Sequence, residues 1–252
     1  MYIYAGNDHI ASITNRIEAD NHSHLMVQLS VSLKGVFSIS VDGQEIVCEG
    51  IIVDSNTNHT LFSNHDWQFI LLVENTSTLA KQLNQNYLKG QSYHVLSKAQ
   101  VNEIRILLEG YRPILNKEKY LQFYDHLLQI MHIKAEAKTI VDERISYLLS
   151  HLKNCTETEH IFEEMAKRVF LSQSRLSHLF KKETGMRLSS YLVLHKLQKA
   201  MFYIFAGKSI TEAASMAGFD SPSHFAAVSK KSMGMTARSL NEDSFFLKVS
   251  TF

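Results

Sequence analysis

The sequence has few of the features that mark secreted, membrane-bound or strongly charged proteins. Its 252 residues include two cysteines, Cys48 and Cys155, which are too few for a disulfide framework, so a reducing compartment is expected. No apolar run approaches the roughly 20 residues that a membrane-spanning helix needs, and the N-terminus lacks the apolar stretch of a secretory signal. We therefore expect a cytoplasmic protein with no membrane partner.

Neither sign of charge dominates the chain, whose formal net charge is +1. From residue 141 onward there are 15 basic and 11 acidic residues, against 11 and 14 before that point. This bias is too weak to identify a nucleic-acid-binding half by charge alone. No stretch rich in Gly, Ser or Pro separates the halves, and residues 135–139 are the expected junction.

Short β-strands separated by turns are predicted for the first part of the chain, most clearly over residues 25–31, 36–41, 44–48 and 67–73. Phe37, Ile39 and Val41 alternate with serines, which gives a strand one apolar face. Asp42-Gly43 then favours a tight hairpin turn. Closely spaced antiparallel strands of this kind predict a small β-barrel or sandwich, with one helix over residues 78–89.

Apolar residues at helical spacing follow in residues 100–115 and 119–134. These stripes have two interpretations, packing against the β-rich part or forming a dimer interface. A third stripe over residues 141–153 begins a helical domain. The expected fold class is α+β, with a β-barrel domain over residues 1–97, linker helices over 98–137 and an all-α domain over 138–245.

One short pattern occurs twice in residues 165–234. The first copy contains Ala166, Leu176 and the run Leu179-Phe180-Lys181-Lys182. The second contains Ala214, Phe225 and Val228-Ser229-Lys230-Lys231, at an offset of 49 residues from Leu176 onward. Each copy reads as a helix with a small Ala, a tight turn, and a second helix that ends in a lysine pair. That layout predicts two helix-turn-helix motifs, since the small Ala lets the helices cross closely.

The residues of these two copies resemble the paired DNA-binding motifs of AraC/XylS-type transcriptional regulators. The similarity is carried by Leu171-Ser172, the run from Phe180 to Gly185, Tyr191-Leu192 and residues 217–221, and it covers about the last 100 residues. The resemblance implies a sequence-specific DNA-binding transcription regulator and not an enzyme. It also implies that the β-rich domain senses an effector or mediates oligomerisation. The implied partners are double-stranded DNA, RNA polymerase, a small-molecule effector or regulatory protein, and a second copy in a homodimer.

Three positions depart from the family pattern. Ser229 stands where a core Phe is usual, Ala237 replaces a Pro, and Lys196 replaces an Arg in the helix that connects the motifs. The second motif is therefore expected to be less well packed than the first.

Side chains on the outer face of each second helix are the candidate DNA contacts. Leu176, Leu179 and Phe180 point inward in the first motif, and Ser172 is a suitable N-cap. The candidates are Ser172, Gln173, Ser174, Arg175, Ser177, His178, Lys181, Lys182, Ser221, Ser223, His224, Ala227, Lys230 and Lys231. Ala226 and Ala227 cannot hydrogen-bond to bases, so the first motif is expected to read sequence and the second to contact mainly the backbone.

A histidine pattern in the β-rich part is similar to the first signature of a cupin barrel. His22 and His24 are followed by Gln28, and His59 comes later. A cupin places a Glu where Gln28 stands, and an amide is a poor anionic ligand. We therefore expect no bound metal and no cofactor, and assign these four residues to an effector pocket in a degenerate cupin-like barrel. The alternatives are a metal-dependent cupin enzyme, a metal sensor, and a regulator that acts through protein contacts.

Overall fold

The computed structural model of the chain describes residues 1–6, 8–134, 142–154, 162–184, 186–233, 236–237 and 244–249. These residues belong to two compact units. The first unit comprises residues 1–136, 231–235 and 242–251, and the second comprises residues 137–230, 236–241 and 252. The expected junction at residues 135–139, Cys155, and the motif glycines Gly185 and Gly234 lie outside the described residues.

Strands make up most of the first unit. They are β1 (Tyr2–Ala5), β2 (His9–Thr14), β3 (Glu18–His22), β4 (Met26–Ser32), β5 (Phe37–Val41), β6 (Gln44–Cys48), β7 (Gly50–Val53), β8 (His59–Phe62), β9 (Gln68–Glu74), β10 (Tyr93–Val95) and β11 (Phe245–Lys248). The four strands that were clearest in the sequence are confirmed as β4, β5, β6 and β9, within one residue at each end.

The described strands form two separate sheets. One has seven strands in the order β10-β7-β4-β9-β2-β1-β11, and the other has four in the order β3-β8-β5-β6. The α+β class is confirmed, but the expected β-barrel is not, because a barrel is a closed sheet without edges and each sheet here ends in edge strands. Apolar alternation predicts strands and their faces, but it does not say which strands pair at an edge.

The turn between β5 and β6 is the tight hairpin that the sequence predicted. Asp42 has φ of 49° and Gly43 has φ of 82°, so both central residues occupy the left-handed region that such a turn requires. The turn fixes the register in which Val41 faces Gln44 and Phe37 faces Cys48.

Among its described residues the first unit also contains three α-helices, α1 (Thr78–Leu83), α2 (Lys98–Tyr111) and α3 (Lys117–Ile130). A π-helical turn over Asn84–Leu88 continues α1. Ser97 caps α2, with a reciprocal contact from Gln100, and Asn116 caps α3. These caps explain why α2 and α3 each begin two residues before the predicted start.

The apolar stripes of α2 and α3 pack into the core beneath the larger sheet. Val101 and Ile104 of α2 and Phe123 and Leu127 of α3 are almost fully buried in one cluster with strand residues. The ring of Phe123 meets that of Phe69 on β9 edge to face at 5.6 Å. The packing interpretation is therefore confirmed for these side chains, and a dimer interface would have to use other positions.

The described part of the second unit contains the helices α4 (Glu143–Asn154), α5 (Phe162–Arg168), α6 (Gln173–Thr184), α7 (Leu188–Phe205), α8 (Ile210–Met216) and α9 (Pro222–Met233). The last residues of α9, from Lys231, belong to the first unit. Apolar residues at helical spacing form the buried faces of these helices, among them Ile145 and Leu148 of α4 and Leu197 and Ile204 of α7. Helices α5 and α6 form the first predicted motif and α8 and α9 the second.

None of the described helices combines the length and the hydropathy that crossing a membrane requires.

Candidate nucleic-acid interface and a buried histidine cluster

The first motif is held together by a buried seam between α5, α6 and α7. Ala166 on α5 is buried, as the crossing of two helices requires. Leu176 and Phe180 on α6 are fully buried, and the ring of Phe180 packs at 5.5 Å from that of Tyr191 on α7. The backbone amide of Arg175 donates to Ser172 Oγ at 3.3 Å, which confirms Ser172 as the N-cap of α6.

The opposite side of α6 is polar and faces solvent. Ser174, Arg175, His178, Lys181 and Lys182 are exposed, and their spacing places them on one helix face. Ser172 and Gln173, at the start of α6, are exposed as well. Ser177 is half-buried and is the least accessible of the predicted contacts in this helix. This face of α6 thus offers a guanidinium, an imidazole and two ammonium groups to a ligand.

Phe170, in the turn between α5 and α6, was not among the predicted site residues. Its side chain is 95% exposed, and its φ of 55° lies in a region that aromatic residues rarely occupy. Aromatic side chains are usually buried, so the pattern of apolar residues in the sequence gave no reason to expect Phe170 to be exposed to solvent.

The second motif repeats this construction with well-formed caps. Ser209 Oγ accepts from the amide of Glu212 at 3.2 Å, and the Glu212 carboxylate accepts from the amide of Ser209 at 3.0 Å. Ser221 Oγ accepts from the amide of His224 at 3.1 Å, and Pro222 is the first residue of α9. The sequence predicts both helix starts, one from Ser209 and Glu212 at capping-box spacing and the other from Ser221 followed by Pro222, and the structure confirms them.

The exposed face of α9 has a different composition from that of α6. Ser223, His224, Ala227, Lys230 and Lys231 are exposed, as is Ala226. The imidazole of His224 lies 3.0 Å from the carboxylate of Asp220, which draws it toward its own helix. The described part of this face therefore presents two methyl groups in the middle and two lysines at its C-terminal end.

Lys196 of α7 supports the turn of the second motif. Its Nζ donates to the carbonyl oxygen of Gly218 at 2.6 Å, and Gly218 itself has φ of 81° in the turn between α8 and α9. The sequence identified Lys196 only as a departure from the family pattern. The structure shows that its ammonium group fixes the turn that leads into α9.

Three buried histidines and one glutamine meet between the two sheets of the first unit. His22 ends β3, His24 precedes β4, Gln28 lies on β4, and His59 begins β8. His22 and His59 are register partners across β3 and β8, where the pairing is irregular. The ring centroids lie 4.3 Å apart for His22 and His59, 4.9 Å for His24 and His59, and 5.5 Å for His22 and His24. The four residues that the sequence grouped together are thus neighbours.

Burial keeps these imidazoles uncharged. Desolvation lowers the pKa of His24 to about 4 and that of His59 to about 3. Charge repulsion adds to this effect, from His22 on the pKa of His24 and from both His24 and His22 on that of His59. The pKa of His22 is lowered as well, again chiefly by burial. The charge of Asp20 raises the pKa of His22, but the loss of hydration on burial has the larger effect, so the neutral form is favoured.

An open cleft of about 470 Å³ lies elsewhere in the first unit. Tyr2, Tyr4 and Ile13 supply part of its wall from β1 and β2, and Arg112 supplies a cation after α2. The guanidinium of Arg112 also lies 5.3 Å from the ring of Trp67. None of these residues belonged to the predicted effector pocket.

Comparison with known proteins identifies the helical domain and the fold. Residues 165–243 match the family of the helix-turn-helix domain, whereas no curated protein sequence matches the chain. An apo form of a ToxT variant from Vibrio cholerae shares 12% identity with a TM-score of 0.60, covering 93% of this chain and 97% of that chain.

Two other ToxT structures from Vibrio cholerae are similar. One has 13% identity and a TM-score of 0.55, covering 93% of this chain and 99% of that chain. The other, bound to an unsaturated fatty acid, has 12% identity and a TM-score of 0.53, covering 93% and 95%. At such identities the similarity establishes the fold. The chain therefore has a ToxT-like fold, and residues 165–243 are a helix-turn-helix domain of the AraC type, as the sequence resemblance implied.

Proposed function

We propose that this protein is a sequence-specific DNA-binding transcription regulator in which α6 is the main reader of the major groove. The observation that carries the proposal is the exposed face of α6, where Arg175 and His178 lie beside the lysine pair at its end. An Arg can donate two hydrogen bonds to a guanine edge, and Lys side chains contact phosphates. The buried face of α6 fixes the helix so that these groups project outward.

Helix α9 contributes mainly backbone contacts in this proposal. The exposed Ala226 and Ala227 have no hydrogen-bonding side chain, whereas Lys230 and Lys231 suit phosphate binding at the end of the helix. Lysine–phosphate contacts release counterions and carry little sequence information. Affinity from α9 would therefore depend strongly on salt and weakly on sequence.

The first unit would control this activity by binding an effector or a regulatory protein. ToxT, which has the same fold, binds an unsaturated fatty acid in one structure. In this chain the candidate effector sites are the histidine cluster and the cleft beside Arg112. RNA polymerase and a second copy of the chain are the further proposed partners, and the cytoplasm is the proposed compartment, since a transcription regulator acts where the DNA is.

Fluorescence anisotropy with labelled genomic fragments, at several stated salt concentrations, tests the proposal. Once a preferred fragment is found, Arg175→Ala and His178→Ala should each weaken its binding by about 1–3 kcal/mol if the side chain reads a base. Binding to unrelated DNA should change little. Arg144→Ala is the matched control, because Arg144 is an exposed cation on α4 whose partner is Asp142.

The double variant Lys230→Ala/Lys231→Ala should lower affinity for all fragments about equally and flatten the salt dependence. Selective loss of specificity in this variant would instead make α9 a base reader. If the wild-type chain binds no fragment while remaining folded, the alternative in which it acts through protein contacts is favoured.

A further inference from the structure

The histidine cluster has the geometry of a metal site, although Gln28 argued against one in the sequence. One ring nitrogen from each of His22, His24 and His59 lies within 4.8 Å of the corresponding nitrogens of the other two. Three imidazole ligands at about 2.1 Å from a tetrahedral ion would lie about 3.4 Å apart. The rings are thus within about an ångström of the positions that coordination requires.

Hydrogen bonds to the backbone orient all three rings in the same way. The Nδ1 atoms of His22, His24 and His59 lie 2.8, 2.9 and 2.9 Å from the carbonyl oxygens of residues 20, 26 and 57. A carbonyl oxygen only accepts, so Nδ1 of His24 and of His59 carries the proton of the neutral ring, and the lone pair of each of these two rings is on Nε2. His22 makes a second hydrogen bond, to the backbone of His59. Metal-binding histidines are oriented by second-shell contacts of this kind.

One of these Nε2 atoms has no partner. His59 is 1% exposed, and its Nε2 lies buried without a hydrogen bond from any described residue. Buried polar atoms are nearly always satisfied by protein, water or an ion. The lone pair of His59, directed into a cluster of two other imidazoles, is therefore the atom that most clearly requires a ligand.

Gln28 shapes the fourth side of the cluster. Its Oε1 lies 3.0 Å from Nε2 of His24, and its Nε2 lies 3.0 Å from the hydroxyl of Ser30. With the proton of His24 on Nδ1, its Nε2 and the Oε1 of Gln28 are both hydrogen-bond acceptors and cannot bond to each other. In the metal-free form, a half-turn of the Gln28 amide group would place its NH2 against Nε2 of His24. With a cation bound, Oε1 of Gln28 and Nε2 of His24 could both act as ligands.

We propose that His22, His24 and His59 bind a divalent transition-metal ion, with the amide oxygen of Gln28 as a weak fourth ligand. Imidazole nitrogens suit Zn²⁺, Co²⁺, Ni²⁺ and Cu²⁺, whereas Mg²⁺ and Ca²⁺ prefer oxygen ligands. The ligands come from both sheets of the first unit, so the ion would tie β3 and β8 to the segment that begins β4. This inference does not depend on the proposed reading of DNA.

Direct metal binding by the full chain tests the site. Protein freed of metal by a chelator should take up one equivalent of Co²⁺, with absorption bands that report nitrogen-rich coordination, and Zn²⁺ should displace it. His59→Ala and His59→Gln should each weaken Zn²⁺ binding by at least about tenfold, the smallest loss typical of a change around a metal site. His132→Ala is the control, because His132 is exposed and remote from the cluster in sequence.

Two further measurements distinguish the loss of a metal ligand from misfolding of a variant. Zn²⁺ should raise the melting temperature of the wild type and not that of the His59 variants, because a ligand stabilises only the state that binds it. Gln28→Glu should tighten binding, since a carboxylate is a better ligand than an amide. The proposal is overturned if the folded wild type takes up no ion, or if His59→Gln binds as tightly as the wild type. Weakening by His132→Ala alone would likewise place the binding outside the cluster.

Discussion

At the scale of single residues, the repeat in the sequence located buried positions correctly. Ser229 occupies in α9 the place that Phe180 occupies in α6, and both side chains are fully buried. What the sequence could not supply is the space around Ser229. Spacing defines the direction of a side chain, whereas the volume available depends on neighbours from other helices.

Ser229→Phe should destabilise the second motif. Ser229 is 0% exposed, so its neighbours enclose a small side chain, and a phenyl ring there should overpack by about 1–3 kcal/mol. Chemical denaturation of the full chain measures the change. Phe180→Ser is the reciprocal variant, and it should cost more, about 3–5 kcal/mol, since it empties a packed site. A Ser229→Phe protein as stable as the wild type would reveal a cavity beside α9.

At the scale of helices and strands, local chemistry made most elements predictable. Ser209 and Ser221 were recognised as caps, and both make the expected hydrogen bonds to their helices. These signals depend on residues three positions apart, which a sequence shows directly. The bond from Lys196 to Gly218 joins residues 22 positions apart on different elements, and no local pattern indicates such a contact.

Lys196→Met should loosen the turn of the second motif. It removes the ammonium group that binds the Gly218 carbonyl at 2.6 Å, and hydrogen bonds to charged groups contribute about 1.5–3 kcal/mol. Amide exchange should become faster over residues 217–225, with a smaller effect in α6. Lys196→Arg should retain most of the protection, because a guanidinium can donate to the same oxygen. Equal exchange in the Met variant and the wild type would show that the turn holds without this contact.

At the scale of the whole molecule, the largest difference from the sequence-based expectation is the pairing of strands at the edge of the larger sheet. A β-barrel domain over residues 1–97 was predicted, yet the larger sheet also contains β11, from residues 245–248. Pairing between strands separated by most of the chain leaves no local signature. The histidine cluster shows the opposite case, since the similarity to a cupin signature grouped its four members and only their orientation needed the structure.

Removing residues 244–252 should expose the edge of β1. Strand β11 pairs with β1 in parallel over four residue pairs, and Val249 is buried in the core of the first unit. An uncovered edge offers unpaired amides and carbonyls to another molecule. The shortened protein should melt at a lower temperature and self-associate as its concentration rises, which light scattering after gel filtration would show. Lys248→Ala is the control because it keeps the strand, and a monomeric shortened protein of unchanged stability would contradict the prediction.

The parallel pairing of β1 and β11 also determines how the first unit would respond to mechanical force. Tyr2 faces Phe245 and Ala5 faces Lys248, so the two strands run in the same direction from opposite ends of the sequence. Pulling the chain by its ends would slide one strand past the other and load their hydrogen bonds together, instead of opening them one after another as in a hairpin. A single-molecule stretching experiment should therefore meet its first resistance at this pair of strands.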